Sequence, residues 1–457
     1  MSDSNGGRKG SRKAQVGEPK ESIMMRRWIN YAATALVAAA ILLSTSTAWA
    51  QWGQGVEGDT FRLRPSVSLS MGFDSNIYHT SRSAAGRLHQ APVGVLTPSL
   101  SISTIDPDSW DLSAAASVGW RQFLSDEQLV RNQSGLSTSL SGTATWNADG
   151  AVSLQLSERF ERTNETPSSP SRETLNRVFN RAGVMAGLHP GGRILETYGS
   201  YDFSLYRHNL FPDIDRHTHH LGWQGSWSFL PQTSLTADVD YRMIRYEREF
   251  RGQEQGVSPE GRLRNIDSNP FRVSGGLRGM LTPRISFGAS AGYGWSRHVD
   301  GPSHEGFLAR AQTSYQFGNV DFDNRLRAGY RFGFSDSTLG NFYVTHRALA
   351  GYEQGFVNNR LRLDLEVSGE IRDYASPEIE GAETVAGEFV FPENLSDLLL
   401  GVSASASFDV RDGWSVGARY NFRANLTEDE ILVEGRSEDA IRDYQRHHVL
   451  LTTTLTY

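Results

Sequence analysis

The chain has 457 residues, a formal net charge of -7 and no cysteine, which excludes a disulfide framework and thiolate metal sites. Only 38% of it is hydrophobic, too little for a bundle of membrane helices. Every lysine (Lys9, Lys13, Lys20) lies near the start, so arginine is the strong base of everything that follows.

Arg26 and Arg27 precede an apolar core from Ala32 to Leu43 and then Ala48-Trp49-Ala50, the layout of a secretory signal cleaved before Gln51. The core is shorter than the roughly 18 residues of a spanning helix, and no later segment approaches that length. The polar stretch before Met24 is unusual for such a signal, and Met24 or Met25 as the true start accounts for it. The expected organisation is a signal peptide over 1–50, a short periplasmic leader over 51–60 and one β domain over 61–457. That leader is too short for the plug domain of a gated uptake receptor.

From residue 61 onward, strand-length runs alternate apolar and polar residues, and the connectors are short and long by turns. Short turns fall at Asp106-Pro107-Asp108, Asn147-Ala148-Asp149-Gly150, His189-Pro190-Gly191-Gly192, Leu230-Pro231-Gln232, Thr282-Pro283, Gly318-Asn319, Asn358-Asn359 and Arg411-Asp412-Gly413, whose residue types suit tight hairpins. Long connectors fall near 74–90, 125–132, 161–176, 207–216, 247–269, 298–305, 335–341, 375–394 and 425–445. This rhythm predicts an all-β fold, a transmembrane antiparallel up-and-down β-barrel of about 18 strands (16 to 18). An even count puts both termini on the periplasmic side and the long loops outside.

The alternation also predicts an inner face. From Val320 to Phe334 the outward set is Val320, Phe322, Leu326, Ala328, Tyr330, Phe332 and Phe334, opposed by Asp321, Asp323, Arg325, Arg327 and Arg331. Arg362, Asp364, Glu366 and Glu370 oppose Leu361, Leu363, Leu365 and Val367; Asp238, Asp240 and Arg242 oppose Ala237, Val239 and Tyr241. Arg419 and Arg423 oppose Trp414, Val416, Ala418, Tyr420 and Phe422. Charges facing lipid are costly, so these sets are expected to line a water-filled lumen, with arginines and carboxylates opposed across it. Arg325, Arg327, Arg362 and Arg419 are the expected contacts for a polymer passing through the lumen. Tyr198, Trp223, Trp295 and Tyr420 are expected in interfacial girdles.

His217, His219 and His220 cluster at a strand start, where His217 and His219 share a face; they read as a solvated strand end, since a further metal ligand is lacking. Acidic residues gather in two outer loops, Glu378, Glu380, Glu383 and Glu388 in one and Glu428, Asp429, Glu430, Glu434, Glu438 and Asp439 in the other, without EF-hand spacing. No phosphate-binding glycine loop, nucleophile elbow or nucleophile–base pair is present in the sequence, so no catalytic residue, cofactor or metal is expected. A barrel hydrolase or an adhesin stands as the reading from another class.

The last strand, Val449 to Tyr457, sets Val449, Leu451, Thr453 and Leu455 against Thr452, Thr454 and Thr456 and ends on an aromatic. That ending resembles the signal read by the outer-membrane assembly machinery. The first strand runs into Gly72-Phe73-Asp74-Ser75-Asn76-Ile77-Tyr78, which resembles the opening signature of a family of outer-membrane β-barrel porins associated with exopolysaccharide or capsule secretion. Ser75 stands where that family often has a second Asp. Asp443-Tyr444-Gln445-Arg446-His447-His448 is similar to the family's closing stretch. The resemblance implies a Gram-negative outer-membrane conduit exporting a polysaccharide, with lipids, lipopolysaccharide, the assembly machinery and periplasmic export components as partners and no nucleic acid. A small-solute diffusion porin is the alternative. Read from the residues alone, Asp74 and Asn76 shape the turn where the first strand leaves the membrane.

Overall fold

A computed structural model describes residues 53–79, 88–105, 107, 109–163, 177–190, 194–208, 215–247, 267–299, 303–318, 324–337, 342–375, 396–427, 430–431, 440–441 and 443–457. The expected signal peptide, Asp321, Asp323 and the two acidic loop clusters lie outside the residues whose side chains are described. The barrel strands run, in chain order, β1 Phe61–Asp74, β2 Ala91–Thr104, β3 Trp110–Phe123, β4 Gly135–Trp146, β5 Val152–Thr163 and β6 Arg177–Leu188. They continue with β7 Leu195–His208, β8 Arg216–Leu230, β9 Thr233–Tyr246, β10 Ser268–Thr282, β11 Ile285–His298 and β12 His304–Gln316. The last six are β13 Arg325–Asp336, β14 Phe342–Phe356, β15 Leu361–Tyr374, β16 Ser396–Arg411, β17 Trp414–Asn425 and β18 Tyr444–Thr456.

Each strand pairs antiparallel with the next, and β1 pairs with β18, so eighteen strands close on themselves. The connectors alternate as the sequence predicts. Turns such as 412–413, with Gly413 at a positive φ of 75°, link strands at the end where Tyr457 and the leader meet; Gly53 N donates to Thr456 O and Tyr457 N to Pro65 O. A two-residue strand, Val56–Glu57, continues the leader onto β1. Closure leaves no strand edge, which is the condition for β-structure in hydrocarbon. Among the described residues no helix is long and apolar enough to cross a membrane. One short helix, α1 Gln128–Asn132, sits in the connector after β3.

Contacts between non-adjacent strands identify the concave face. Asp336 of β13 accepts from Ser268 of β10 and from Ser296 of β11 (3.2 Å), contacts possible only on the inside. Parity then places Val67, Leu69, Met71, Phe73, Leu221, Leu365, Val367, Val449 and Leu451 outside, where they are exposed as a lipid-facing set must be in an isolated chain. The strand expected from Val320 is described from Arg325, and its upper end departs from strict alternation. Phe334, predicted to face lipid, is 1% exposed: the strand turns inward and its ring packs under the Arg272 guanidinium, 4.6 Å from centroid to Cζ, and against His304.

The first and last strands meet in a polar latch at the extracellular end. Asp74, 1% exposed, receives Arg446 Nε at 2.9 and 3.1 Å and also Nη2, and Arg446 Nη1 lies 3.0 Å from His79 Nε2. Asn76 N donates back to Asp74 Oδ1 (3.2 Å) and its amide donates to Gln445 O (3.1 Å), while His447 N donates to Ser75 Oγ (2.8 Å). The residues that carry the family resemblance at the two ends of the chain thus face each other across the closing seam, in the turn-shaping role read from their chemistry. Beside the latch, Ile77, Tyr78 and Val130 cover Ala91, Val93 and Phe123, an apolar cluster on the inner face at the rim. The Tyr78 hydroxyl donates to Leu129 O (2.7 Å), and burial pushes its pKa up.

Breaking one side of a buried ion pair costs about 3–5 kcal/mol. Asp74→Ala is therefore expected to cost the refolded barrel a few kcal/mol, read as a lower urea midpoint, with Asp74→Ala/Arg446→Met costing less than the two single changes summed. Equal midpoints for Asp74→Ala and the unmodified chain would remove the latch from the stability of the fold.

Candidate functional site

The inner wall is chemically divided. Midway along β18 and β1 to β4 it is a ladder of hydroxyls that bond across strands, Ser68 with Thr454 (2.9 Å), Ser70 with Thr452 (2.8 Å), Ser66 with Ser99 (2.6 Å), Ser113 with Thr143 (2.8 Å) and Ser117 with Ser139 (2.7 Å), and the charges of these strands, Arg62, Arg64, Asp111 and Arg121, stand toward the strand ends. From β6 to β15 it is charged.

The first charged group is a chain of partners running along the wall. Arg181 donates to both oxygens of Asp202 (3.2 and 2.8 Å), and His220 presents Nδ1 to Asp202 (3.1 Å) and Nε2 to Asp240 (2.6 Å). Asp240 also faces Arg242 (3.2 Å) and Arg272 (3.4 Å), and Arg272 donates to Phe334 O (2.9 Å). Asp238, one pleat below, interacts with Arg278 and Arg310 through space. The predicted trio Asp238, Asp240 and Arg242 is thus on the inner face, with Asp240 and Arg242 ion-paired in a network whose other members, Arg181, Asp202, His220 and Arg272, the sequence reading did not nominate. His220 in particular points inward while His217 and His219 point outward, so the three histidines are not one solvated group; His217 and His219 sit edge-on with ring centroids 5.7 Å apart.

The second group is a recess of about 630 Å³ lined by Arg310, Arg325, Arg327, Arg331, Arg347 and Glu366. Arg310, Arg331 and Arg347 lie directly opposite one another on β12, β13 and β14. Like charges in that arrangement are destabilising by a few tenths of a kcal/mol to about 1 kcal/mol each. Among the described residues Arg325, Arg331 and Arg347 make no ion pair, and all three are exposed to the lumen. Arg327 differs: its Nη2 reaches Glu353 (3.1 Å), Asp364 (3.3 Å) and Glu366 (3.8 Å).

Of the four expected contact arginines, Arg325 and Arg419 are exposed and make no ion pair among the described residues, whereas Arg327 and Arg362 are held by carboxylates; Arg362 pairs with Asp409 at 3.5 Å. The pairs run along the wall between neighbouring strands, not across the lumen as expected, because adjacent strands lie about 4.8 Å apart and side chains reach each other there first. Tyr198 is also corrected. It stands on the inner face beside Glu196 and Asp238, its ring 5.1 Å from His189, while Trp223, Trp295 and Tyr420 face outward as girdle residues. Arg310, between Ala309 and Ala311, was legible in principle; Arg347 follows His346 and carries a weaker signal. Their register against Arg331 was not legible. Among the described residues no cluster of three His, Asp or Glu is placed to hold a metal ion.

No protein-family model matches the chain and no curated protein matches it in sequence, so the resemblance of segment 73–78 to a secretion-associated porin family has no family match behind it. Solved structures of similar fold include OccAB2 from Acinetobacter baumannii (11% identity, 88% of this chain and 99% of that one, TM-score 0.45). Others are OccK9 (OpdG) from Pseudomonas aeruginosa (11%, 86% and 98%, 0.44) and the siderophore receptor PirA from the same organism (11%, 88% and 81%, 0.41). Likeness at that level concerns the barrel fold alone; what this barrel carries has to be read from its own side chains.

A unit charge 4 Å away is worth about 1 kcal/mol in water. Arg331→Glu changes the recess by two units, about 2 kcal/mol for a passing ion, and is expected to lower the anion-to-cation permeability ratio in planar bilayers by about thirtyfold. Asp240→Asn removes the carboxylate that holds Arg242 and Arg272 and should move the ratio the opposite way.

Proposed function

We propose that the chain is an outer-membrane porin that admits small anionic solutes, of carboxylate or phosphate type, through a water-filled lumen. The observation that carries this reading is the arginine recess, where Arg310, Arg331 and Arg347, none of them ion-paired among the described residues, stand directly opposite one another on three neighbouring strands, in a space the size of a small organic ligand. A planar fork of donors suits a carboxylate or phosphate oxygen pair, and the exchange of water for guanidinium needs no covalent step. A row of like charges in direct register is kept at a cost to the wall, which an anionic passenger offsets.

Two inward features support a small passenger. Phe334 and Asp336 bring the end of β13 over the wall of β10 and β11, and the Ile77–Tyr78 segment with α1 covers the rim at the seam. The neutral hydroxyl wall opposite supplies donors and acceptors for the rest of a polar solute. Polysaccharide export rested on the family resemblance, and the lumen favours the small-solute alternative over it. The leader, the cleaved signal and the assembly signal at Tyr457 belong to the same reading, as the route by which the barrel reaches the outer membrane.

Liposome swelling tests it. Proteoliposomes should swell faster in small mono- and dicarboxylates than in neutral sugars of equal mass, and Arg331→Glu/Arg347→Glu should abolish the difference. Swelling indifferent to solute charge would sink the anion reading. Loss of extracellular polymer in a deletion strain, restored by the unmodified gene, would return polysaccharide export to first place.

A further inference from the structure

Three pairs of neighbouring strands repeat one constellation on the outer face. Between β7 and β8 the Tyr201 hydroxyl lies 2.8 Å from His219 Nδ1, and Phe203 packs on the same imidazole with centroids 5.2 Å apart. Between β13 and β14, Tyr330, Phe332 and His346 repeat it at 2.8 and 4.6 Å. Between β17 and β18, Tyr420, Phe422 and His447 repeat it at 2.9 and 5.0 Å. In all three the histidine stands directly opposite the phenylalanine, and the tyrosine is two residues earlier on the phenylalanine's strand.

The three also share a height. Phe203, Phe332 and Phe422 stand eight or nine residues into strands that begin at Leu195, Arg325 and Trp414 and climb from the short-turn end. At about 3.3 Å per residue and roughly 40° of tilt this is about 20 Å, the upper boundary of an apolar band some 25 Å tall. Below the histidines the same face is mostly apolar and aromatic; His346 and His447 are the last outward rings of their strands, and above His219 stands one more, His217, with ring centroids 5.7 Å apart.

The hydrogen bond sets what each ring offers. In the tautomer that lets each tyrosine hydroxyl donate to Nδ1, its one acceptor among the described residues, the ring proton lies on Nε2. Among the described residues Nε2–H is then a donor without a protein acceptor, fixed in direction by a hydrogen bond on one side and a tilted phenyl contact on the other. A donor at that depth, pre-ordered and at the edge of hydrocarbon, matches an anionic headgroup oxygen. We infer that His219, His346 and His447 are three anchoring sites for phosphate-bearing glycolipids of the outer leaflet, each donating from Nε2 to a phosphate oxygen. This rests on the outer-membrane placement above, and not on which solute the lumen passes.

The test uses the full chain reconstituted in phosphatidylcholine vesicles with and without a phosphorylated glycolipid, read by native mass spectrometry of the lipid retained after extraction and by thermal midpoint. Unmodified protein should retain the glycolipid and melt higher with it present; inorganic phosphate in its place should do neither. His219→Phe/His346→Phe/His447→Phe keeps the rings and removes the donors, and retention should fall roughly tenfold per site, the worth of a hydrogen bond to a charged group. The single variants report the same loss site by site if the triple variant does not fold. Tyr201→Phe/Tyr330→Phe/Tyr420→Phe frees the tautomer and should weaken retention less. Equal retention by unmodified and His-to-Phe proteins, or stabilisation by inorganic phosphate alone, overturns the proposal. Failure of the unmodified chain to insert even in plain phosphatidylcholine vesicles speaks instead against the membrane reading.

Discussion

A strand in hydrocarbon has no water to pair with, so each of its backbone groups must find a partner on a neighbouring strand, and the first strand must find the last. That condition governs everything else in this chain. Once β1 is joined to β18 the sheet has an inside and an outside, and every side chain is assigned to one of them by parity. Pairing alone leaves the seam with a weakness, because its two strands are brought together from opposite ends of the chain and no hairpin turn ties them. The Asp74–Arg446 ion pair, with Asn76, Ser75 and His79 around it, supplies the missing tie where the strands emerge. It is buried on the acid side, where both Asp74 oxygens accept from the Arg446 guanidinium.

The inner wall shows how one surface serves two ends. Serines and threonines near the seam bond to one another, which makes that wall stiff and neutral. Across from them the charges fall into two sets that differ in what they have left to give. Around Asp202 and Asp240 each carboxylate is shared among His220 and arginines, and the network is closed. Around Arg331 the carboxylates are fewer than the cations, and the surplus faces water. Arg327, surrounded by Glu353, Asp364 and Glu366, marks the boundary between the two regimes. Selectivity in such a wall is a matter of which charges are already spoken for, not of how many there are.

The outer face follows the same economy of position. Apolar residues fill the band, aromatic rings gather toward its edges, and at the upper edge the three Tyr–Phe–His groups turn a hydrophobic surface into one with fixed donors. Each group sets a tyrosine and a phenylalanine outward with one inward residue between them, Asp202, Arg331 or Asn421. Two of those intervening residues belong to the charge system of the lumen. A single dipeptide step therefore couples the lipid boundary to the conduit wall.

Sequence by itself determined the strands. Alternation of period two, Gly, Pro, Asn and Asp in the short connectors and the even strand count pointed to a closed barrel of 16 to 18 strands, because those signals are local and repeat in every hairpin; the closing pair fixed it at eighteen. It also determined which residues of a strand share a face, which is why Asp238, Asp240, Arg325, Arg362, Asp364, Glu366 and Arg419 all stand inward. Tertiary structure decided which of those residues meet. Register is a relation between strands, so the row Arg310–Arg331–Arg347, the carboxylates around Arg327 and the two-sided contacts of His220 were invisible in a list of strands taken one at a time. It also decided the exceptions: Phe334 obeys the alternation in sequence but turns inward, because Ser268, Ser296 and Arg272 on strands far from it in the chain offer its neighbours hydrogen bonds only on the concave side.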